Sequence, residues 1–164
     1  MEASLDVASM SETSTKVFIL EVMGRHAGWL AASAGVIKEN KSMPPHLILL
    51  PEVIFNEKKF LQETKAIVKN YGYCVIVASE GIKNKKDQFI ASSASKDSFG
   101  HAHLGGVAPK LANIISNKLS YKVHWAVADY LQRAARHLGS SVDVKQAYAI
   151  GFKALHYAKK GVNG

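Results

Sequence analysis

The fold of this chain is decided by the stretch Val17-Phe18-Ile19-Leu20-Glu21-Val22-Met23-Gly24-Arg25-His26-Ala27-Gly28-Trp29. Its first half is an apolar run typical of a buried strand, and its second half passes through Gly24 and Gly28 into a helix. In α/β proteins such a turn lies at the carboxyl edge of a parallel sheet, where backbone N–H groups receive small ligands. Arg25 adds a guanidinium that grips a phosphate or carboxylate with two parallel hydrogen bonds. The stretch therefore predicts an α/β protein that binds a phosphorylated small molecule.

Apolar runs and amphipathic segments alternate along the rest of the chain. We expect strands at 16–22, 46–50, 73–78 and 122–127, and helices at about 29–39, 57–71, 104–119 and 144–160. Asn56 is expected to cap the second helix and Asp143 the last one. The polar stretch 83–98 is expected to be a mobile loop. Single crossover helices between strands favour a mostly parallel sheet with helices on both faces.

Length and composition are those of one ordinary soluble domain. The chain has 164 residues, of which 48% are apolar and 21% are charged. It contains no apolar run near the roughly 18 residues that span a bilayer and no signal-peptide pattern. The single cysteine, Cys74, lies in an apolar run and is expected to be a reduced core residue. We expect a cytoplasmic α/β domain at 15–161 without a membrane partner, preceded at 1–14 by a lead-in helix or linker.

The formal net charge of +8 raises the question of nucleic-acid binding. The densest basic cluster is Lys83, Lys85 and Lys86, and the other lysines are spaced as on solvated helix faces. No helix-turn-helix, zinc-finger or RNP-type pattern accompanies them. We therefore expect no nucleic-acid partner. Solubility, or a positive field that attracts an anionic metabolite, accounts for the charge.

Four sequence blocks carry a family resemblance. They are Glu21-Val22-Met23-Gly24-Arg25-His26-Ala27-Gly28-Trp29, Val77-Ala78-Ser79-Glu80-Gly81, Asp97-Ser98-Phe99-Gly100-His101 with Leu104-Gly105-Gly106, and Tyr130-Leu131-Gln132-Arg133-Ala134. In this order they resemble the 6-phosphofructokinase family, particularly its pyrophosphate-dependent branch, over about 2–161. The resemblance implies a phosphofructokinase-like fold. It also implies an enzyme of glycolysis that transfers a phosphoryl group to the 1-hydroxyl of fructose 6-phosphate.

The resemblance also implies which residues hold the sugar phosphate. The segment Met23-Gly24-Arg25 matches the part that contacts the fructose and the transferred phosphoryl group, where Arg25 would stabilise the transition state. Glu80 matches a glutamate that accepts hydrogen bonds from sugar hydroxyls. Tyr130 and Arg133 match the segment that holds the 6-phosphate. Charged hydrogen bonds contribute about 1.5–3 kcal/mol each, so two or three of them fix a phosphate. The carboxylate meanwhile accepts hydrogen bonds from the sugar hydroxyls.

The chain also departs from the family pattern. His124 stands where many members carry an arginine that reaches the 6-phosphate, and a histidine is mostly neutral near pH 7. The family's catalytic aspartate motif has no counterpart here, nor do the segments that hold Mg²⁺ and the phosphoryl donor. We therefore expect an excerpt of a longer, homo-oligomeric enzyme whose other half binds Mg²⁺ and pyrophosphate. The excerpt alone is expected to have negligible activity, since base and metal are main contributors to phosphoryl transfer.

Two alternatives stay open at this point. An ATP-dependent phosphofructokinase is the first, although Trp29 and the Ala134-Ala135 pair favour the pyrophosphate branch. The second is a non-catalytic module that binds a sugar phosphate in regulation or assembly. An open reading frame that continues upstream into an aspartate-rich catalytic segment would exclude the module.

Each candidate residue also has a plain structural interpretation. Arg25 is then a surface arginine at a helix end, Glu80 a solvated carboxylate at a strand end, and Arg133 part of a general basic patch. His101 and His103 lie two positions apart without a third ligand nearby, which is a poor metal site. We expect no metal ligand in this chain. The Gly105-Gly106 pair before a helix still favours an anion.

Overall fold

A four-stranded parallel sheet forms the centre of the protein. The computed structural model describes residues 2–11, 14–36, 38–96 and 102–162. Its strands are β1 (Val17–Val22), β2 (Leu47–Leu49), β3 (Cys74–Ser79), β4 (Ser92–Lys96), β5 (Ala102–Leu104) and β6 (Val123–Val127). The order of the main sheet is β2-β3-β1-β6, with every pair parallel, while β4 and β5 form a separate antiparallel pair. This confirms the predicted α/β class.

The helices are α1 (Glu2–Ser11), α2 (Trp29–Ser33), α3 (Glu57–Tyr71), α4 (Val107–Leu119), α5 (Leu131–Ala134) and α6 (Ser141–Lys159). The bounds of α3 are those that the sequence predicts, because both of its ends carry strong signals. The side chain of Asn56 accepts a hydrogen bond from the Lys59 N–H, and Gly72 ends the helix in the left-handed conformation with φ 84°.

The core lies on both faces of the sheet, as the alternating side chains of β1 require. Val17 and Ile19 pack with α3 and α4 in a buried cluster that includes Phe60 and Leu111. On the opposite face Val22 and Val77 pack against Ala31 of α2, so helices cover both faces of the sheet, as predicted. All six residues of β3 are buried, as is typical of a central parallel strand.

Some local predictions were wrong. The predicted helix at 29–39 ends at Ser33, and Gly35 follows in a turn where a Cβ would lie 2.9 Å from Ile48 Cδ1. The predicted loop at 83–98 contains β4, and the helix predicted from 104 starts at Val107 because 102–104 form β5. Ser140, rather than Asp143, caps α6: its hydroxyl accepts from the Val142 N–H at 3.1 Å.

The chain divides into two compact units, Met1–Asp129 and Tyr130–Gly164. The second unit contains α5, a 3₁₀ turn at Arg136–Leu138, and α6. In the part of the chain that the structure describes, no helix combines the length and the apolar character needed to cross a membrane. The segment 97–101, which holds the third resemblance block's first half, lies outside the described residues.

Candidate ligand-binding site at the carboxyl edge of the sheet

The register of the sheet brings the carboxyl ends of β1, β3 and β6 together. Val22 is in register with Ser79, and Glu21 with both Ala78 and Val127. The strands end around a small cavity of about 90 Å³ in the first unit. It is lined by Glu21, Val22, Met23, Glu80, Leu104, Gly105, Val127 and Asp129. This is the edge at which parallel α/β sheets bind ligands.

Residues 23–28, which we call the arginine loop, are held to the end of β3 by hydrogen bonds. The Gly24 N–H donates to Glu80 Oε1 at 3.1 Å, and the hydroxyl of buried Ser79 donates to the Gly24 carbonyl. The same hydroxyl accepts from the Gly81 N–H at 3.3 Å. Gly24 is therefore held through both its N–H and its carbonyl group.

Glycine is required at two positions of this junction. Gly24 has a φ of 141°, and a Cβ there would lie 2.7 Å from the Ala27 carbonyl oxygen. A Cβ at Gly81 would overlap the carbonyl oxygens of Gly24 and Arg25 and lie 2.6 Å from the Arg25 carbonyl carbon. The arginine loop thus packs backbone against backbone on β3, which only glycine permits. Arg25 follows directly, with a half-buried side chain.

Glu21 holds the amino end of α4 at the same cavity. Its side chain is 1% exposed; Oε1 accepts from the Gly106 N–H at 3.1 Å and Oε2 from the Ala108 N–H at 2.8 Å. Burial raises the pKa of this carboxyl and the charge of Glu80 adds to the rise, while the bonds from α4 oppose it. The Gly105-Gly106 pair favours an anion, and the carboxylate of Glu21 takes that position in the folded chain.

Asp129 is a further cavity residue that, like Glu21 and Ser79, is not among the residues predicted from the sequence to form the site. It follows β6 with a φ of 39°, a conformation that costs energy for residues other than glycine. Its only sequence signal is its position just before Tyr130. In the sequence, Glu21 cannot be distinguished from the other residues of β1, because the Gly106 N–H to which it bonds lies 85 positions further along the chain.

The structure brings together four of the predicted site residues and places His124 elsewhere on the sheet of the first unit. Met23 and Glu80 line the cavity, and Gly24 and Arg25 lie in the loop bonded to Glu80. His124 is exposed near the amino end of β6, in register with Phe18 and about 10 Å before Val127 along the strand. Its contact with a 6-phosphate stays a prediction.

Tyr130 and Arg133 belong to the second unit. The Arg133 guanidinium lies over the Tyr130 ring, with 5.5 Å between Cζ and the ring centroid, and the Arg133 N–H donates to the Tyr130 carbonyl at 3.0 Å. The pair forms a cation–π contact that limits the rotamers of the arginine. Their role in holding a phosphate also stays a prediction.

The described ranges contain no group of three His, Cys, Asp or Glu side chains arranged to hold a metal ion. Three of the carboxylate oxygens at the cavity already have partners, since both oxygens of Glu21 and Oε1 of Glu80 accept backbone N–H bonds. Mg²⁺ takes octahedral oxygen ligands, usually carboxylates, phosphates and waters. The residues described here therefore do not fit a Mg²⁺ site.

Comparisons with known proteins point to one family. The Phosphofructokinase family model matches residues 1–158. The pyrophosphate–fructose 6-phosphate 1-phosphotransferase of Halomonas elongata is 56% identical over 163 residues, which are 99% of this chain and 39% of the relative. An ATP-dependent 6-phosphofructokinase of Mycobacterium tuberculosis is 30% identical over 157 residues, or 95% of this chain and 44% of the relative.

Among solved structures, the pyrophosphate-dependent phosphofructokinase from Marinobacter aquaeolei is similar, with a TM-score of 0.79 and 53% identity. The match covers 98% of this chain and 36% of that one. The chain spans about two fifths of the length of the curated pyrophosphate-dependent relatives that it matches at 52–56% identity. The family model covers nearly all of the chain, and the fold agrees with it: this chain belongs to the phosphofructokinase family.

Proposed function

We propose that this chain is the fructose 6-phosphate-binding part of a pyrophosphate-dependent phosphofructokinase. The complete enzyme would transfer a phosphoryl group from pyrophosphate to the 1-hydroxyl of fructose 6-phosphate. The observation that carries the proposal is the bond between Gly24 N–H and Glu80 Oε1 at 3.1 Å. It joins a carboxylate suited to sugar hydroxyls and an arginine suited to phosphoryl oxygens in one fixed turn at the ligand-binding edge.

We propose a role for each of these residues. Only Oε1 of Glu80 has a hydrogen-bond partner within the described part of the chain, so Oε2 is available to accept from a sugar hydroxyl. Met23 shapes the wall of the cavity. Arg25 binds the transferred phosphoryl group and stabilises the charge that develops on it. Tyr130 and Arg133 bind the 6-phosphate, with the ring holding the guanidinium in place.

Pyrophosphate as the donor is supported by the relatives. Three proteins named pyrophosphate–fructose 6-phosphate 1-phosphotransferase are 52–56% identical to the chain, whereas the ATP-dependent enzymes are 30% identical. Mg²⁺, the donor site and the catalytic base are proposed to lie in the three fifths of such an enzyme that this chain does not match. We further propose that the complete enzyme is a cytoplasmic homo-oligomer.

Calorimetric titration with fructose 6-phosphate tests the proposal. We expect saturable binding by this chain, weakened at least tenfold by Arg25→Ala and by Glu80→Gln, since each removes about one charged hydrogen bond. Lys65→Ala and Glu63→Gln, on the exposed face of α3, are matched controls that should bind like the original chain. A folded chain that does not bind, or variants that bind equally well, would refute the proposed site.

A further inference from the structure

The far end of the arginine loop has its own carboxylate partner. The Gly28 N–H donates to Oε1 of Glu52 at 2.8 Å. Glu52 follows Pro51 just after β2, and its side chain is largely exposed. Gly28 is the residue before α2 and has no side chain with which to make a cap bond. An acceptor from a different segment of the chain therefore fixes the point where the loop becomes a helix.

Packing supports the same contact. A Cβ at Gly28 would lie 2.7 Å from Leu50 Cδ2, 2.9 Å from Glu52 Oε2 and 3.0 Å from Pro51 Cδ. Real Cβ atoms do not approach other atoms so closely, so the backbone at Gly28 lies directly against 50–52. The packing of Leu50 and Pro51 holds this segment against the end of the loop, and the hydrogen bond to Glu52 adds a polar contact there.

The arginine loop is thus restrained at both ends by different strands. Ser79, Glu80 and Gly81, at the end of β3, hold Gly24, while Glu52, after β2, holds Gly28. Only three residues, 25–27, lie between these two anchors. A segment of this length with both ends fixed has few backbone conformations left, so the direction in which Arg25 leaves the backbone depends on both anchors.

We propose that Glu52 is a positioning residue for Arg25: its carboxylate fixes the end of the arginine loop and so pre-organises the guanidinium for a phosphorylated sugar. This inference rests on the proposed function for its ligand. Glu52 itself touches no ligand in this account. A pre-organised arginine binds more tightly because less conformational freedom is lost on binding.

The alternative is that Glu52 only stabilises α2, and a double-mutant cycle separates the two. Glu52→Ala is expected to weaken fructose 6-phosphate binding about tenfold, the equivalent of one hydrogen bond. Glu52→Gln keeps an acceptor of the same length and is expected to restore affinity to within about twofold. In the Arg25→Ala background, Glu52→Ala is expected to cause no further loss, because Glu52 acts through Arg25. The inference would be overturned if the affinity losses of Glu52→Ala and Arg25→Ala multiplied in the double variant, or if Glu52→Ala alone bound with full affinity.

Amide hydrogen exchange provides a readout that needs no ligand. In the folded chain, Glu52→Ala is expected to speed exchange of the Arg25–Gly28 amides about tenfold, with β3 unchanged. If Glu52→Ala does not fold, Glu52→Asp replaces it in both experiments. The shorter aspartate side chain keeps the charge but does not reach the Gly28 N–H. Unchanged exchange would overturn the inference. Failure of the original chain to bind fructose 6-phosphate, with exchange as expected, would overturn the proposed function alone.

Discussion

Gly81→Ala is the substitution that tests most sharply how the site is built. The added methyl group would overlap two carbonyl oxygens and lie 2.6 Å from the Arg25 carbonyl carbon. Both obstacles are backbone atoms, which cannot rotate away as a side chain does. The arginine loop must therefore move away from β3 by about 1 Å to reach ordinary carbon–oxygen contact distances of about 3.3 Å.

The cost of that movement appears in two quantities. Over-packing of this kind lowers the free energy of unfolding by about 1–3 kcal/mol. A displacement of about 1 Å also weakens the bond between Gly24 N–H and Glu80, and a misplacement of that size in a site costs up to about a hundredfold. We expect Gly81→Ala to reduce the affinity for fructose 6-phosphate by about ten- to a hundredfold.

Titration calorimetry and urea denaturation measure the two effects on the same sample. Gly151→Ala in α6 is the matched control, because a Cβ there meets nothing within 4 Å. Alanine favours a helix interior over glycine by about 0.5–1 kcal/mol, so this control should be neutral or stabilising. A Gly81→Ala chain that binds with the original affinity would refute the idea that backbone contact with β3 positions Arg25.

Three further predictions follow from buried or half-buried groups. His46 accepts a hydrogen bond from the Val75 N–H through Nδ1, and burial lowers the pKa of its imidazole. The folded state therefore binds fewer protons than the unfolded state, and the free energy of unfolding falls as the pH drops through about 6.5. Urea titrations of His46→Asn, which keeps an acceptor, should show a flatter dependence of stability on pH, and a profile identical to that of the original chain would contradict this. Glu21→Gln replaces one acceptor by an N–H₂ group facing α4 and should lower the unfolding free energy by about 1–3 kcal/mol, with a change below 0.5 kcal/mol contradicting the capping role. Phe60→Ala, at 3% exposure in the main cluster, should cost about 3–5 kcal/mol in the same assay, and a much smaller loss would mean that α3 packs loosely.

Strong local signals made much of the fold predictable. The apolar runs around β1 and β3 and the capped, amphipathic α3 were found from sequence because each signal lies inside the element itself. The strand β4, Ser92–Lys96, was missed because it is short and polar and lacks the apolar alternation of a half-buried strand. The helix α2 ends at Ser33, shortly before Gly35, a residue that weakens helices, and the side chain of Ile48 lies close to Gly35.

The candidate site was predictable only where a residue lies in a recognised motif. Met23, Gly24, Arg25 and Glu80 belong to two such motifs, and the parallel register joins them. The supporting carboxylates were not predictable in the same way. Glu21 and Glu52 bond to N–H groups that are 85 and 24 positions away in the sequence, so their roles exist only once the chain has folded.

The measurement that tests the central claim most directly is a fructose 6-phosphate titration of the ¹⁵N-labelled chain, followed by amide resonances. We expect saturable shifts at Gly24, Arg25 and Gly81, with the exposed face of α3 unaffected and inorganic phosphate giving weaker shifts. Shifts confined to the lysine-rich segment 83–86, or none in a folded chain, would contradict it, because the sugar phosphate would then not bind at the carboxyl edge of this sheet.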